Sequence, residues 1–210
     1  MEEKELDDEM FFVLRIAPVS GRQKRFRIQL DGACDVVLYQ KELKHFQLEE
    51  GASLSKSEYD RLLQEVLLPR AKSRILYLLD RQDRTTANLL EKLVDGGYPL
   101  KIAEEAVSYA QQMHYVDDER FARQYVSGRK ERKSFRSLRM ELLRHGIDRE
   151  LTEQVLEEAY DTDENALMAR LMEKKRYDPE TAGPKEKQKM FRYLAYRGFS
   201  SQEIAEALRR

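Results

Sequence analysis

Two adjacent carboxylates near the middle of this 210-residue chain are candidates for acid/base catalysis or metal binding. Asp117 and Asp118 open the run DDERFARQYVSGR, and neighbouring carboxylates can share a proton or hold Mg²⁺. The same pattern also starts a helix, because Asp is a favoured N-cap and acidic residues stabilise the positive end of the helix dipole. The apolar and aromatic residues that follow fall on one helix face: Phe121, Ala122, Tyr125 and Val126. We therefore interpret Asp117 as a helix N-cap and predict no acid/base or metal role for the pair.

The other residues with metal-binding or catalytic chemistry lack a suitable pattern. The segment DTDEN, residues 161–165, begins like a calcium loop, but Ala166 and Met172 stand where that loop needs Gly and Glu. A helix N-cap at Thr162 or Asp163 explains the segment better. The three histidines and the single cysteine have no metal-ligand spacing: His45, His114, His145 and Cys34. Since no phosphate-loop, zinc-protease or serine-hydrolase motif occurs, we predict a non-enzymatic protein without catalytic, cofactor-binding or metal-binding residues.

The charged residues are abundant, balanced in sum and segregated in position. Lys and Arg number 38 and Asp and Glu 39, which gives a net charge of −1 on a chain that is 37% charged. Residues 120–150 hold ten basic and four acidic side chains, and 170–197 hold nine and four, whereas 102–119 and 153–164 hold acids and no Lys or Arg. Mean hydropathy is −0.75, and no apolar run approaches the roughly 18 to 20 residues of a membrane helix. These features predict a cytoplasmic protein with no membrane contact and with patches that suit phosphates or a charge-patterned protein surface.

A hairpin is predicted near the N-terminus. Residues 25–30, RFRIQL, alternate between polar and apolar, and 34–39 form a second alternating run. Between them stands Asp31-Gly32, a pair typical of the two-residue turn in which both residues have positive φ. Cys34 is then expected inside a strand as a small packing residue.

A third strand and a short helix complete the predicted extension. Residues 11–19 are expected to form the strand, joined to the hairpin through the turn at 20–21, and residues 41–48 a short helix. A lone hairpin is marginally stable in water, so this sheet must pack on something else. The predicted N-terminal extension spans residues 1–54.

From Ser55 onward the signal is helical. Ser55 and Glu58 have the spacing of a capping box, and an amphipathic apolar stripe follows. Pro69 is expected to kink or end this first helix, and a second helix is predicted over about 70–82.

The helical part contains an internal repeat. Three segments share a leucine four residues before a glycine and a bulky apolar residue just after it: LVDGGY, LLRHGI and LAYRGF, with glycines Gly97, Gly146 and Gly198. Glycine closes a helix by taking the left-handed conformation, and the next apolar residue then folds back onto it. Helix N-caps are predicted at matching offsets, at Thr85, Ser134 and, more weakly, Glu186.

The matched offsets argue against chance recurrence and predict tandem three-helix units. Their predicted bounds are 55–115, 116–160 and 161–210. Units of this kind bury their faces mainly against their neighbours. The predicted fold class is mainly α, an elongated and curved tandem repeat of three-helix units with a small N-terminal antiparallel sheet.

The sequence resembles a known family, the bacterial RecX family of regulatory proteins. The segment YVDDERFARQYVSGR carries the resemblance, with TTANLLEKLVDGGY before it and LRMELLRHGI after it. RFRIQLDG resembles the N-terminal extension of some members. The resemblance covers essentially the whole chain and is clearest over residues 70–160.

The resemblance implies a non-enzymatic regulator built of tandem three-helix units. RecX-like proteins bind the RecA filament on single-stranded DNA and restrain its recombination, ATPase and coprotease activities, and with them the SOS response. The basic residues predicted to contact the partner or DNA are Arg129, Lys130, Arg132, Lys133, Arg136, Arg139, Lys174, Lys175 and Arg176. The residues predicted to hold the middle unit in shape are Tyr115, Asp117, Asp118, Phe121 and Tyr125.

An elongated stack of helical units has a long surface with alternating charge. Such a surface would lie along the groove of the RecA filament and bridge successive RecA protomers. It would then block the changes in the filament that are coupled to ATP turnover. The main rival is a helical protein that binds DNA backbone phosphates directly, and weak direct DNA binding beside the RecA contact stays open. The near-zero net charge weighs against DNA binding as the sole function. The sequence gives no reason to expect more than a monomer.

Overall fold

The computed structural model describes residues 9–20 and 24–209 of the chain. Within them the chain forms two compact units, and the boundary falls between Val116 and Asp117. The first unit contains a sheet followed by helices, and the second is helical throughout. The prediction of a mainly α fold with a small antiparallel N-terminal sheet is confirmed.

Four antiparallel strands form the sheet in the spatial order β3-β2-β1-β4. They are β1 (Met10–Val19), β2 (Arg25–Asp31), β3 (Val36–Tyr39) and β4 (Ser53–Ser55). Alternate residues bury one face against the helices of the first unit, as Phe11, Val13, Ile28 and Leu30 show. The three predicted strands are confirmed, whereas β4 is additional, because three residues are too few to show strand alternation. The predicted turn at 20–21 includes Gly21, which lies outside the described residues.

The hairpin between β2 and β3 has a longer connection than predicted. The last paired residues are Ile28 and Val36, and Asp31 still belongs to β2, so the two-residue turn at Asp31-Gly32 is wrong. Of these two residues only Gly32 takes the left-handed conformation, with φ of 80°. The prediction for Cys34 fails with it, because Cys34 lies in the connection and its side chain is exposed. Its carbonyl instead accepts a hydrogen bond from Tyr59 Oη at 3.1 Å.

The first helices connect the sheet to the repeats. They are α1 (Gln40–His45), α2 (Lys56–Arg61) and α3 (Leu68–Leu79), with a π-helical turn (Leu62–Leu67) between the last two. The predicted capping box is confirmed, because the Ser55 N–H donates to the Glu58 carboxylate at 2.9 Å and the Glu58 N–H donates to Ser55 Oγ at 3.3 Å.

The helical chain does not end at Pro69, so of the two predicted effects of this proline, a kink or an end, the end is wrong. Proline has no N–H, and its ring crowds the carbonyl four residues earlier. The π-helical turn just before it changes that geometry, and the Leu68 N–H donates to the Leu63 carbonyl, five residues back. Pro69 thus occupies the first turn of α3, where a missing N–H costs little.

Eight further helices follow. They are α4 (Thr86–Asp95), α5 (Leu100–Gln112), α6 (Asp118–Ser127), α7 (Phe135–Arg144), α8 (Arg149–Ala159), α9 (Glu164–Lys174), α10 (Pro184–Ala195) and α11 (Ser201–Ala207). Helices α3–α5 share their apolar core with the sheet, whereas α6–α8 and α9–α11 each have a cluster of their own. None of the helices in residues 9–20 and 24–209 is long and apolar enough to cross a membrane.

The repeat glycines close helices as predicted. Gly97, Gly146 and Gly198 have φ of 88°, 77° and 93°, in the left-handed region. The apolar residues after the last two, Ile147 and Phe199, fold back into their cores and are buried. This confirms the predicted role of the three glycines at the level of the backbone.

The predicted N-caps are confirmed in two units and wrong in the third. Thr85 Oγ1 accepts from the Asn88 N–H at 3.2 Å, and Ser134 Oγ accepts from the Ser137 N–H at 3.2 Å. In the third unit α10 begins earlier, with Gly183 as N-cap and Pro184 in the first turn. Glu186 lies inside the helix, and its carboxylate accepts from the Gly183 N–H at 2.9 Å.

Candidate functional site

Helix α6 begins at the carboxylate pair Asp117 and Asp118. Asp117 Oδ1 accepts a hydrogen bond from the Arg120 N–H at 2.9 Å, so Asp117 is the N-cap of α6. Asp118 and Glu119 lie in its first turn, where the helix dipole favours negative charge. The capping interpretation is confirmed. Likewise, Asp163 caps α9 by accepting from the N–H groups of Asn165 and Ala166.

Removing the α6 cap is expected to destabilise the second unit modestly. Asp117→Ala leaves the Arg120 N–H without its acceptor and should lower the free energy of unfolding by about 1 kcal/mol. Asp117→Asn keeps a capping oxygen and should retain most of the stability. Urea unfolding followed by far-UV circular dichroism measures both variants, and equal losses in the two would contradict the capping role.

Aromatic side chains pack beside the start of the basic segment. Phe121 and Tyr125 stack with ring centroids 5.9 Å apart, and His145 packs edge-on against both rings. The guanidinium of Arg129 lies 3.8 Å from the centre of the Tyr125 ring, a cation–π contact. Tyr115, which the sequence groups with these residues, lies in the first unit instead and packs edge-on against Tyr109.

Glu141 on α7 is the hub of a polar network that the sequence does not reveal. Its carboxylate accepts hydrogen bonds from Lys133 Nζ, from Tyr125 Oη at 2.9 Å and from Ser137 Oγ at 3.3 Å. Burial acts to raise the pKa of Glu141, but the hydrogen bonds from Lys133 and Tyr125 outweigh it and leave that pKa below its usual value. The network thus favours a charged Glu141 between α6 and α7.

Acidification is expected to destabilise the second unit in two steps. Burial and the neighbouring Arg129 lower the pKa of His145, so the unfolded chain binds a proton there more readily than the folded one. Stability should therefore fall as the pH drops through about 6.5, the unfolded value for His. A second loss, from Glu141, should begin below about pH 4.5. Thermal unfolding between pH 8 and 3 tests this, and His145→Gln should remove the first step only; an unchanged first step would contradict its assignment to His145.

Six predicted contact residues lie between 129 and 139, and the structure divides them into two groups. Lys130 Nζ binds Asp161 Oδ1 at 2.6 Å, Lys133 binds Glu141, and Arg139 Nε binds Glu153 Oε1 at 2.5 Å. These three side chains are half-buried. Arg139 joins α7 to α8, and Lys130 and Lys133 join the connection between α6 and α7 to Asp161 and to α7. The other three are exposed: Arg129, Arg132 and Arg136. We call these three the arginine triplet.

The guanidinium groups of the arginine triplet are accessible to a binding partner. Arg132 and Arg136 make no ion pair within residues 9–20 and 24–209, and Arg129 contacts an aromatic ring rather than a carboxylate. A guanidinium on an ordered backbone can bind carboxylates or phosphates through two parallel hydrogen bonds.

The backbone that carries the triplet is fixed from several sides. The Ser134 N–H donates to the Arg197 carbonyl at 3.0 Å, and the Phe135 N–H donates to the Glu164 carboxylate at 2.7 Å. Tyr160 Oη donates to the Lys133 carbonyl at 3.2 Å. Tyr160, Glu164 and Arg197 therefore hold the backbone of residues 133–135 in place.

The second predicted patch lies at the end of α9. Lys174, Lys175 and Arg176 are all exposed, and Lys175 Nζ lies 5.1 Å from the centre of the Tyr193 ring. Basic residues at this place also stabilise the negative end of the helix dipole. The adjoining cavity of about 310 Å³ mixes Lys175, Arg176 and Lys189 with Asp178 and Glu186, so it selects no single charge.

The described residues contain no group of three or more His, Cys, Asp or Glu that could hold a metal ion. The residues that sequence reasoning missed are the acids and the phenol that organise the basic segment: Glu141, Glu153, Asp161, Glu164 and Tyr160. Their spacing to the basic residues, from 8 residues for Lys133–Glu141 to 31 for Lys130–Asp161, follows no local pattern.

Comparisons with known proteins point to one family. Models of the first, second and third three-helix domains of RecX match residues 71–109, 117–156 and 162–208. Regulatory protein RecX of Caldanaerobacter subterraneus subsp. tengcongensis is 31% identical over 163 residues, which cover 77% of this chain and 80% of that protein. Regulatory protein RecX of Serratia proteamaculans is 30% identical over 161 residues, which cover 65% and 95%.

Solved structures share the fold. A crystal structure of regulatory protein RecX has a TM-score of 0.55 at 24% identity and covers 94% of this chain and 98% of its own. RecX from Lactobacillus salivarius has a TM-score of 0.50 at 19% identity, with coverages of 67% and 94%. At these identities the likeness concerns the fold alone.

Proposed function

The chain belongs to the RecX family, and from that premise we propose that it binds the RecA filament on single-stranded DNA and inhibits its recombination, ATPase and coprotease activities. The relatives are named regulatory proteins, which supports a regulatory role. We propose that it acts in the cytoplasm as a monomer without catalytic activity of its own, and so modulates DNA repair and the SOS response.

The arginine triplet is the observation that carries the proposal. Three exposed guanidinium groups are available within a backbone segment that hydrogen bonds hold in place, so little conformational entropy is lost when a partner binds. Carboxylates on a protein filament are suitable acceptors for such groups. The patch at Lys174, Lys175 and Arg176 supplies a second set of cations on the same compact unit.

We propose that these contacts bridge successive RecA protomers. A protein bound to two neighbours at once resists any change in their relative position, and ATP turnover in a filament requires such changes. Inhibition then needs no chemical step by this chain, which agrees with the absence of a catalytic motif in its sequence.

A direct DNA-binding protein is the second candidate, favoured by the same exposed arginines. The net charge of −1 weighs against it, since affinity for bare DNA grows with the number of phosphates neutralised. The two candidates differ in the partner that gives the tighter complex.

Binding at physiological salt separates them. Fluorescence anisotropy of a labelled single strand, bare or coated with RecA, measures the affinity of the full chain for each. We expect clearly tighter binding to the coated strand. Equal or tighter binding to the bare strand would overturn the regulator proposal in favour of direct DNA binding.

A further inference from the structure

A basic cavity in the first unit has no part in the proposed RecA contact. It measures about 410 Å³ and lies where the sheet meets α3 and the C-terminal end of α4. Among the described residues that line it, four are basic and none is acidic: Arg25 from β2, Arg70 and Arg74 from α3, and Lys92 from α4. Tyr39 and Tyr98 supply aromatic walls.

One of the four cations, Arg70, is held in the wall of the cavity by hydrogen bonds. Arg70 Nη1 donates to both oxygens of Glu42, at 2.8 and 3.0 Å, and Nη2 donates to the Val37 carbonyl at 2.5 Å. Its guanidinium also lies 4.9 Å from the centre of the Tyr39 ring and 5.4 Å from that of Tyr98. Glu42 offsets the charge of Arg70, so Arg70 shapes the cavity, and the other three cations supply most of its attraction for an anion.

The remaining cations converge from three separate elements. Arg25 stands opposite Tyr39 in the register of β2 and β3. Arg74 is exposed on α3 and lies 5.1 Å from the centre of the Tyr77 ring, and Lys92 has only a long contact of 4.0 Å with Asp95. Within the part of the chain that the structure describes, none of these three cations makes a short ion pair, so together they leave a net positive charge at the cavity.

The end of α4 weakens this charge without cancelling it. Gly96 lines the cavity and caps α4, so the negative end of the helix dipole is nearby. That end is equivalent to roughly −0.5 of an elementary charge, against three full positive charges. The cavity therefore remains selective for anions.

We propose that this cavity binds a phosphate group carried by a nucleotide, either free or within a nucleic-acid strand. Guanidinium groups match the oxygens of phosphate bidentately. The volume exceeds the need of a bare ion and falls within the range of about 300 to 1,000 Å³ typical of small-ligand sites. The tyrosine rings offer a surface on which a base or sugar can pack.

The cavity shares no lining residue with the arginine triplet or the patch at Lys174, Lys175 and Arg176, so the two proposals can fail separately. Isothermal titration calorimetry of the full chain with ADP, with the oligonucleotide (dT)₅ and with a pentaglutamate peptide tests it at low salt. We expect ADP or (dT)₅ to bind, and the tighter of the two identifies the source of the phosphate. No binding by either, or equally tight binding of pentaglutamate, would overturn the proposal.

Matched variants locate the binding. Arg25→Gln with Arg74→Gln should weaken the tighter probe at least about tenfold. Arg132→Gln with Arg136→Gln removes the same charge from residues that do not line the cavity and should change the affinity less than about twofold, since salt screens exposed charges that do not contact the ligand. Equal losses in the two double variants would contradict the site. If the first double variant fails to unfold cooperatively, Lys92→Gln, at an exposed position, replaces it, and an unchanged affinity in that variant would count against the cavity.

Discussion

Replacing Gly97 with Ala is expected to lower the free energy of unfolding of the first unit by about 3 kcal/mol or more. A Cβ at this position would stand 2.3 Å from Val37 Cγ2 on β3 and 3.0 Å from Val37 Cβ. The residue also has φ of 88°, which L-residues adopt at a cost of roughly 1 to 2 kcal/mol. The added methyl therefore forces α4 and the sheet apart, and overpacking of a core costs about 1 to 3 kcal/mol more.

Gly51 offers a matched control for that effect. Its φ is 85°, but a Cβ there would meet nothing within 4 Å. Gly51→Ala should cost only the backbone part, roughly 1 to 2 kcal/mol. Urea unfolding of both variants separates the cost of the backbone conformation from the cost of the contact with Val37. Equal losses of unfolding free energy in the two variants would contradict the expected clash between a side chain at position 97 and Val37.

The largest functional effect is expected from reversing the arginine triplet. Changing Arg129, Arg132 and Arg136 to Glu should raise the concentration needed for half-inhibition of the RecA ATPase at least tenfold. An exposed ion pair contributes about 0.5 kcal/mol, so three lost pairs already amount to about 1.5 kcal/mol, or roughly tenfold in affinity. Reversed charges add repulsion against an acidic surface.

A second triple variant controls for net charge. Lys41, Lys44 and Lys101 are exposed residues of the first unit, and their change to Glu shifts the net charge by the same amount. This variant should inhibit RecA nearly as well as the unchanged protein. If both triple variants lose inhibition equally, net charge rather than the triplet determines binding.

The parts of the fold that local sequence determines were predictable. The caps at Ser55, Asp117 and Ser134 and the left-handed glycines depend on residues within one turn, and the structure confirms them. The predictions were wrong where interactions beyond one helical turn determine the local structure. The sheet register, set by pairing between β2 and β3, places Cys34 outside the strand, and a π-helical turn carries the helix through Pro69.

The candidate site was predictable only as a basic segment. Lys130, Lys133 and Arg139 look equivalent to Arg129, Arg132 and Arg136 in the sequence, because all six occur within eleven residues. Partners distant in sequence neutralise the first three, so only folding separates structural cations from exposed ones. The cavity at Arg25, Arg74 and Lys92 was missed for the same reason, since it joins residues from three distant elements.

The DNA-dependent ATPase activity of RecA, measured with and without this protein, tests the proposed regulation most directly. A protein that binds the filament and bridges its protomers should inhibit ATP hydrolysis at concentrations stoichiometric with its sites. Unchanged hydrolysis at those concentrations, with the protein folded and RecA active on single-stranded DNA, would contradict the proposed function.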